Sequence, residues 1–114
     1  MQQSFSDLGV SARIVRTLAE RNIHTPFPIQ ARVLGDALTG RDVLAKAPTG
    51  SGKTLAFAIP IVEQLETGGR RPAALVLVPT RELASQVAGE LTALAAPGDL
   101  RVATVYGGVP LSAQ

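Results

Sequence analysis

Ala47-Pro48-Thr49-Gly50-Ser51-Gly52-Lys53-Thr54 stands between a short apolar run, Asp42-Val43-Leu44-Ala45, and a segment in which Leu55, Ile59, Val62 and Leu65 recur at helical spacing. An apolar run of that length suits a strand buried on both faces, so the eight residues read as a strand-to-helix turn. Gly50 and Gly52 let the backbone take conformations closed to other residues and come close to a ligand. The helix that starts here aims free N–H groups and a positive dipole end at an anion. Lys53 would set an ammonium against the outer phosphates of a triphosphate, and the Thr54 hydroxyl would ligate Mg²⁺. The strict phosphate-loop pattern, G-x-x-x-x-G-K-[ST], is broken at its first place by Ala47. The strand–loop–helix context that the motif needs is nonetheless present. Pro60, inside the helix, should kink it, because it removes one ladder N–H.

Working outward, the chain has 114 residues, enough for one small domain. Hydrophobic residues make up 46% and aromatic ones 4%, so a core must be built from Ala, Val, Leu and Ile. The net charge of +2 is a mild basic bias, compatible with nucleic acid but no proof of it. All the basic residues except Lys46 and Lys53 are arginines, which suit phosphate contacts. The chain has no cysteine, which excludes disulfides, cysteine-ligated metal and thiol catalysis, and its one histidine, His24, makes no cluster. No apolar run approaches the ~18 residues of a membrane span. Met1-Gln2-Gln3-Ser4 lacks the basic and apolar regions of a signal peptide, so a cytoplasmic protein is expected.

Ser11 can cap a helix over residues 12–21, with Ile14, Leu18 and Ala19 as its apolar stripe and Asn22 closing it in the left-handed conformation. His24-Thr25-Pro26-Phe27-Pro28 is an extended link, and Pro28 suits the first turn of a second helix that stops at Gly40. Beyond the phosphate-loop helix, Thr67-Gly68-Gly69-Arg70-Arg71-Pro72 is a polar turn. Ala73-Ala74-Leu75-Val76-Leu77-Val78 reads as a second buried strand. Pro79-Thr80-Arg81-Glu82 leads into a helix bearing Leu83, Val87, Leu91 and Leu94, which Pro97-Gly98-Asp99 breaks. Val102 to Tyr106 reads as a third strand, ended by Gly107-Gly108. Two helices followed by strand–helix–strand–helix–strand predict an α/β fold with a parallel sheet and right-handed crossovers.

Four segments stand in a telling order. Phe5 lies 17 residues before Asn22-Ile23-His24-Thr25-Pro26-Phe27-Pro28-Ile29-Gln30; the phosphate loop follows, then Pro79-Thr80-Arg81-Glu82-Leu83-Ala84 with Gln86, and last Tyr106-Gly107-Gly108. Across essentially the whole chain this series resembles the first half of the first RecA-like domain of a DEAD-box RNA helicase. It matches that family's Q motif, A-x-T-G-x-G-K-T motif, P-T-R-E-L-A motif and G-G doublet. The resemblance implies an incomplete RecA-like P-loop NTPase domain (residues 41–114) preceded by a helical segment with the Q motif (residues 1–40). It also implies nucleotide contacts from Phe5, Gln30, Ala47, Thr49, Gly50, Ser51, Gly52, Lys53 and Thr54. Lys53 and Thr54 would serve catalysis and Thr54 the Mg²⁺.

From the residues alone, Gln30 reads as a solvated position on the second helix and Phe5 as a core aromatic. The resemblance implies instead that Gln30 bonds the adenine edge, where a side-chain amide can satisfy a donor and an acceptor together, and that Phe5 stacks on the ring. Thr80 and Glu82 would serve a helix start unaided. The resemblance adds RNA-phosphate contacts from Pro79, Thr80, Arg81, Gly107 and Gly108, independent of base sequence and sensitive to salt. Arg70-Arg71 reads as a solvated loop. The chain departs from the family at Asn22, where glycine is usual, and at Phe27, where threonine stands between the prolines. The first keeps the left-handed geometry; the second loses a hydroxyl that could cap the second helix, at about 1 kcal/mol.

None of the nine acidic residues sits in a D-E-x-D context. The family's D-E-A-D and S-A-T segments and its second RecA-like domain, with the arginines that neutralise the γ-phosphate, fall outside the resemblance. The chain is therefore expected to bind ATP with Mg²⁺ and RNA, but not to hydrolyse ATP or unwind RNA alone. Its partners would be RNA and the remainder of a helicase, without a membrane. Strand edges lacking a neighbour would leave it marginally stable and prone to self-association. Two other readings stand beside this one: a non-catalytic nucleotide- or RNA-binding module, and a fragment of a helicase-like DNA translocase. Phe5 with Gln30, a pairing typical of RNA-acting members, opposes the translocase.

Overall fold

A computed structural model describes residues 3–46, 52–65, 74–95 and 101–105. They form four α-helices: α1 (Ala12–Glu20), α2 (Pro28–Leu38), α3 (Lys53–Gln64) and α4 (Arg81–Ala95). Each starts and stops for a local reason. The Ser11 side chain accepts the Ile14 N–H at the head of α1. Asn22, at φ +60°, turns the chain out of that helix, while the Ile23 N–H returns to the Leu18 carbonyl. Pro28 fills the first turn of α2, and Gly40, at φ +84°, lies just past its end. The Thr80 hydroxyl accepts the Leu83 N–H at the start of α4, with Glu82 in the first turn. α3 runs unbroken through Pro60, whose missing N–H does not end it.

The apolar stripes converge on one core. Ile14 and Leu18 of α1, Leu34 of α2, Leu55, Ile59 and Val62 of α3, and Val87, Leu91 and Leu94 of α4 are buried together with Phe5 and Val10. α3 is the central element, packed against both α2 and α4, and α1 leans on α4. Polar ties fasten the same contacts. Glu63 of α3 accepts from both the N–H and the hydroxyl of Ser11, and the Gln64 amide donates to the Ala37 carbonyl at the end of α2 (2.7 Å). At the N-terminus, the Ser4 N–H donates to Asp7 Oδ2 and the Asp7 N–H to Ser4 Oγ. Hydrogen bonds to the carboxyl from the Ser4 N–H first, and from the Ser4 side chain, hold the exposed Asp7 carboxyl below its ordinary range.

Arg21, just after α1, reaches 69 residues along the chain to grip Glu90 of α4 through both guanidinium nitrogens (2.9 Å each). That carboxylate raises the Arg21 pKa further, chiefly through the hydrogen bond. Both side chains are partly exposed, so the two-pronged geometry contributes modestly. A double-mutant cycle with Arg21→Ala and Glu90→Ala is expected to give a coupling of about 0.5–1 kcal/mol that shrinks in high salt. A coupling that does not change with salt would contradict this.

The expected sheet is not confirmed. Among the described residues there is no strand: positions 42–45, 74–78 and 102–105 carry no ladder. Leu44 is 102% exposed, Leu77 84% and Leu75 77%, the reverse of a strand covered on both faces. The physical reason is that a helix closes its hydrogen bonds within itself, whereas a strand closes them only on a neighbour. α1 to α4 therefore form and find one another, while the three apolar segments meet no adjoining strand. Val76, Val78 and Val102 still pack partly against the helical core.

Candidate nucleotide site

The head of α3 meets the head of α2. Gly52 precedes α3 at φ +85°, ψ +21°, a left-handed conformation that glycine adopts freely. Lys53 and Thr54 are the first two helical residues, so their N–H groups belong to the free set at the helix start. The Lys53 side chain is exposed and Thr54 half-buried. Both line an open cleft of about 1260 Å³ that Phe27, Phe57, Leu83 and Gln86 also border. The first turns of α3 and α4 thus face one space.

Gln30 joins the two helix heads. Its Oε1 accepts the N–H of Phe27 (2.9 Å), closing the start of α2 from within, and its Nε2 donates to the Gly52 carbonyl (3.1 Å). It is 2% exposed, so the solvated position read from the residues alone is corrected: the third residue of α2 is turned inward. A primary amide has two donors and two acceptor lone pairs, and one of each is used here. The amide is therefore fixed in orientation at both ends. The contact is tight. A Cβ on Gly52 would lie 2.5 Å from Gln30 Nε2 and 2.7 Å from Phe27 Cδ2, so it would force these side chains to shift.

The remaining site residues fall into three groups. Phe5 is 2% exposed and belongs to the core with Val10 and Ile14, so as placed its ring offers no open face. Pro79, Thr80 and Arg81 are exposed at the start of α4, where Thr80 acts as the cap. Ala47, Thr49, Gly50, Ser51, Gly107 and Gly108 lie outside the described residues, as does the Arg70-Arg71 turn. Among the described residues, no group of three or more His, Asp or Glu side chains could hold a metal ion. No described helix is long and apolar enough to cross a membrane. The Gln30–Gly52 bond was not legible in advance. What hinted at it was the glycine immediately before the lysine, a position that tolerates close approach.

Comparison with known proteins gives this geometry a family. The DEAD/DEAH box helicase description matches residues 27–114. The chain is 50% identical over 113 residues to a Helianthus annuus protein named DEAD-box ATP-dependent RNA helicase 3, an alignment covering 91% of this chain and 47% of that one. It is 42% identical over 117 residues to nucleolar RNA helicase 2 of Rattus norvegicus, covering 97% of this chain and 15% of the relative. Of the solved structures, a DEAD box protein from Methanococcus jannaschii superposes at a TM-score of 0.91 with 35% identity, over 99% of this chain and 31% of that one. The RNA helicase Prp28 from Chaetomium thermophilum, solved bound to ADP, gives 0.86 with 33% identity, over 99% and 29%. The chain thus spans half or less of the length of these relatives. A helical framework shared with such structures, and a family description that runs from Phe27 to the last residue, lead to one conclusion: this chain belongs to the DEAD/DEAH box helicase family.

Proposed function

We propose that the chain is the ATP-binding and RNA-contacting portion of a DEAD-box ATP-dependent RNA helicase. The observation that carries this is the bond from Gln30 to the Gly52 carbonyl, which sets a side-chain amide directly beside the Lys53–Thr54 helix start. An adenine edge needs one donor and one acceptor side by side; phosphates need free N–H groups, an ammonium and close-approaching backbone. Gly52 joins the two sets, and Gln30, 2% exposed as placed, would have to be uncovered for a base to meet its amide. In this reading Gln30 orients the base, and Gly52, Lys53 and Thr54 hold the phosphates with Ala47, Thr49, Gly50 and Ser51. Thr54 supplies a hydroxyl to Mg²⁺, which, when bound, neutralises charge on the phosphate oxygens. A half-buried hydroxyl beside the exposed lysine at a helix start fits that task.

RNA would run past the head of α4, where Thr80 and Arg81 are exposed and within reach of phosphates, with Pro79, Gly107 and Gly108 allowing close backbone approach. The names of relatives support RNA as the partner. Hydrolysis on this reading needs the carboxylates and arginines of a longer chain, so these residues bind nucleotide without turning it over. Relatives named for the nucleolus and the mitochondrion leave a cytoplasmic site unsupported by the comparisons.

Titrating the chain with fluorescent ADP and Mg²⁺ tests the proposal. Saturable binding is expected, lost in Lys53→Ala and weakened in Gln30→Ala. Equal binding by all three samples would refute the assignment of the site.

A further inference from the structure

We infer that Phe27 is the aromatic platform against which the adenine base stacks at this site. The inference rests on the nucleotide reading above and adds to it a residue that the resemblance did not supply. The chain has three phenylalanines, one tyrosine and no tryptophan. Phe5 is sealed in the core, and Phe57 is partly buried against it. Phe27 is 53% exposed and borders the same cleft as Lys53 and Thr54.

Its backbone is held in place. Phe27 is the residue before Pro28, held in extended geometry (φ −70°, ψ +159°), and its N–H is clamped by Gln30 Oε1. The ring edge lies 2.7 Å, and Gln30 Nε2 2.5 Å, from where a Gly52 Cβ would be. The half-exposed Phe27 ring and the buried Gln30 amide are thus neighbours beside Gly52, and the ring borders the cleft. A base seated in the cleft beside Lys53 and Thr54 would have its flat face within reach of this ring. Exposure of so large an apolar ring is unfavourable in the free chain, and stacking on a base would cover it. Phe27 also supplies no cap acceptor to α2, so helix stability gives no reason for phenylalanine here.

The test separates base from phosphate. The chain, Phe27→Thr, Phe27→Leu and Lys53→Ala are each titrated with ADP and with inorganic tripolyphosphate, both with Mg²⁺. Phe27→Thr is expected to lose at least about fivefold in ADP affinity while binding tripolyphosphate as the parent does. Because threonine restores a cap acceptor, its melting temperature should be no lower than the parent's, so unfolding cannot account for the loss. Phe27→Leu keeps an apolar side chain but not the ring and should lose ADP affinity similarly. Phe27→Trp should retain binding, and its emission, from the sole tryptophan, should be quenched by ADP and not by tripolyphosphate. Parent-like ADP binding by Phe27→Thr, or unchanged emission on ADP binding, would overturn the platform alone. Failure of the parent to bind either ligand, or unimpaired binding of both by Lys53→Ala, would overturn the nucleotide reading and the platform with it.

Discussion

Gly52→Ala is expected to destabilise the chain by about 1.5–3.5 kcal/mol and to abolish nucleotide binding. Two costs combine. The first is conformational: at φ +85° an L-residue with a Cβ is strained by roughly 1–2 kcal/mol. The second is local: the new methyl would lie 2.5 Å from Gln30 Nε2 and 2.7 Å from Phe27 Cδ2. The Phe27 ring is exposed and can swing away at little cost. The Gln30 tip cannot move without releasing the Gly52 carbonyl, a loss of about 0.5–1.5 kcal/mol. Gly40 provides the control. It sits at φ +84°, but a Cβ there meets nothing within 4 Å, so Gly40→Ala should show the conformational cost alone. Denaturant unfolding of both variants measures the difference. Equal losses in the two would mean that the Gly52–Gln30 contact contributes nothing.

What the sequence disclosed and what it hid divide along a physical line. The four helices were legible because their signals are local: Ser11 before an Ile14–Leu18 stripe, Pro28 at a first turn, Leu55–Ile59–Val62 at helical spacing, Thr80 with Glu82. Asn22 was legible because few residues other than glycine accept φ +60°. The three apolar segments are not confirmed as strands among the described residues, because apolar runs record a preference for burial and not the presence of a neighbour. Leu75 and Leu77 satisfy the pattern and remain exposed.

At the site, the motif gave the chemistry of Gly52, Lys53 and Thr54, but it could not give the partner of Gln30. That bond joins positions 22 residues apart and depends on how α2 packs against α3. Arg21 and Glu90 were invisible for the same reason at longer range. Phe5 shows the converse: composition alone placed it in the core, and the structure places it there, whereas the stacking role rested on resemblance.

Gln30→Glu is the sharper test of that bond, because it changes a donor to an acceptor at nearly constant shape. Oε1 could still accept the Phe27 N–H, but the atom facing the Gly52 carbonyl would be an oxygen. At 2% exposure an ionised carboxylate there meets a carbonyl dipole of the wrong sign and little water, and the variant should be less stable than the parent by about 2–4 kcal/mol at neutral pH. Protonation removes both penalties, since the carboxylic acid O–H can donate to the carbonyl as the amide did. The folded state therefore raises this carboxyl's pKa above its unfolded value. A group shifted upward contributes its full stability below the unfolded pKa and loses it as pH rises through the folded one. The gap between variant and parent should accordingly be small at acid pH and widen toward neutrality. Measuring both proteins at each pH cancels the shared acid sensitivity from Asp7, whose lowered pKa acts in the opposite direction. A pH-independent gap would show that the amide donor to Gly52 does not matter, and that packing alone holds α2 against the head of α3.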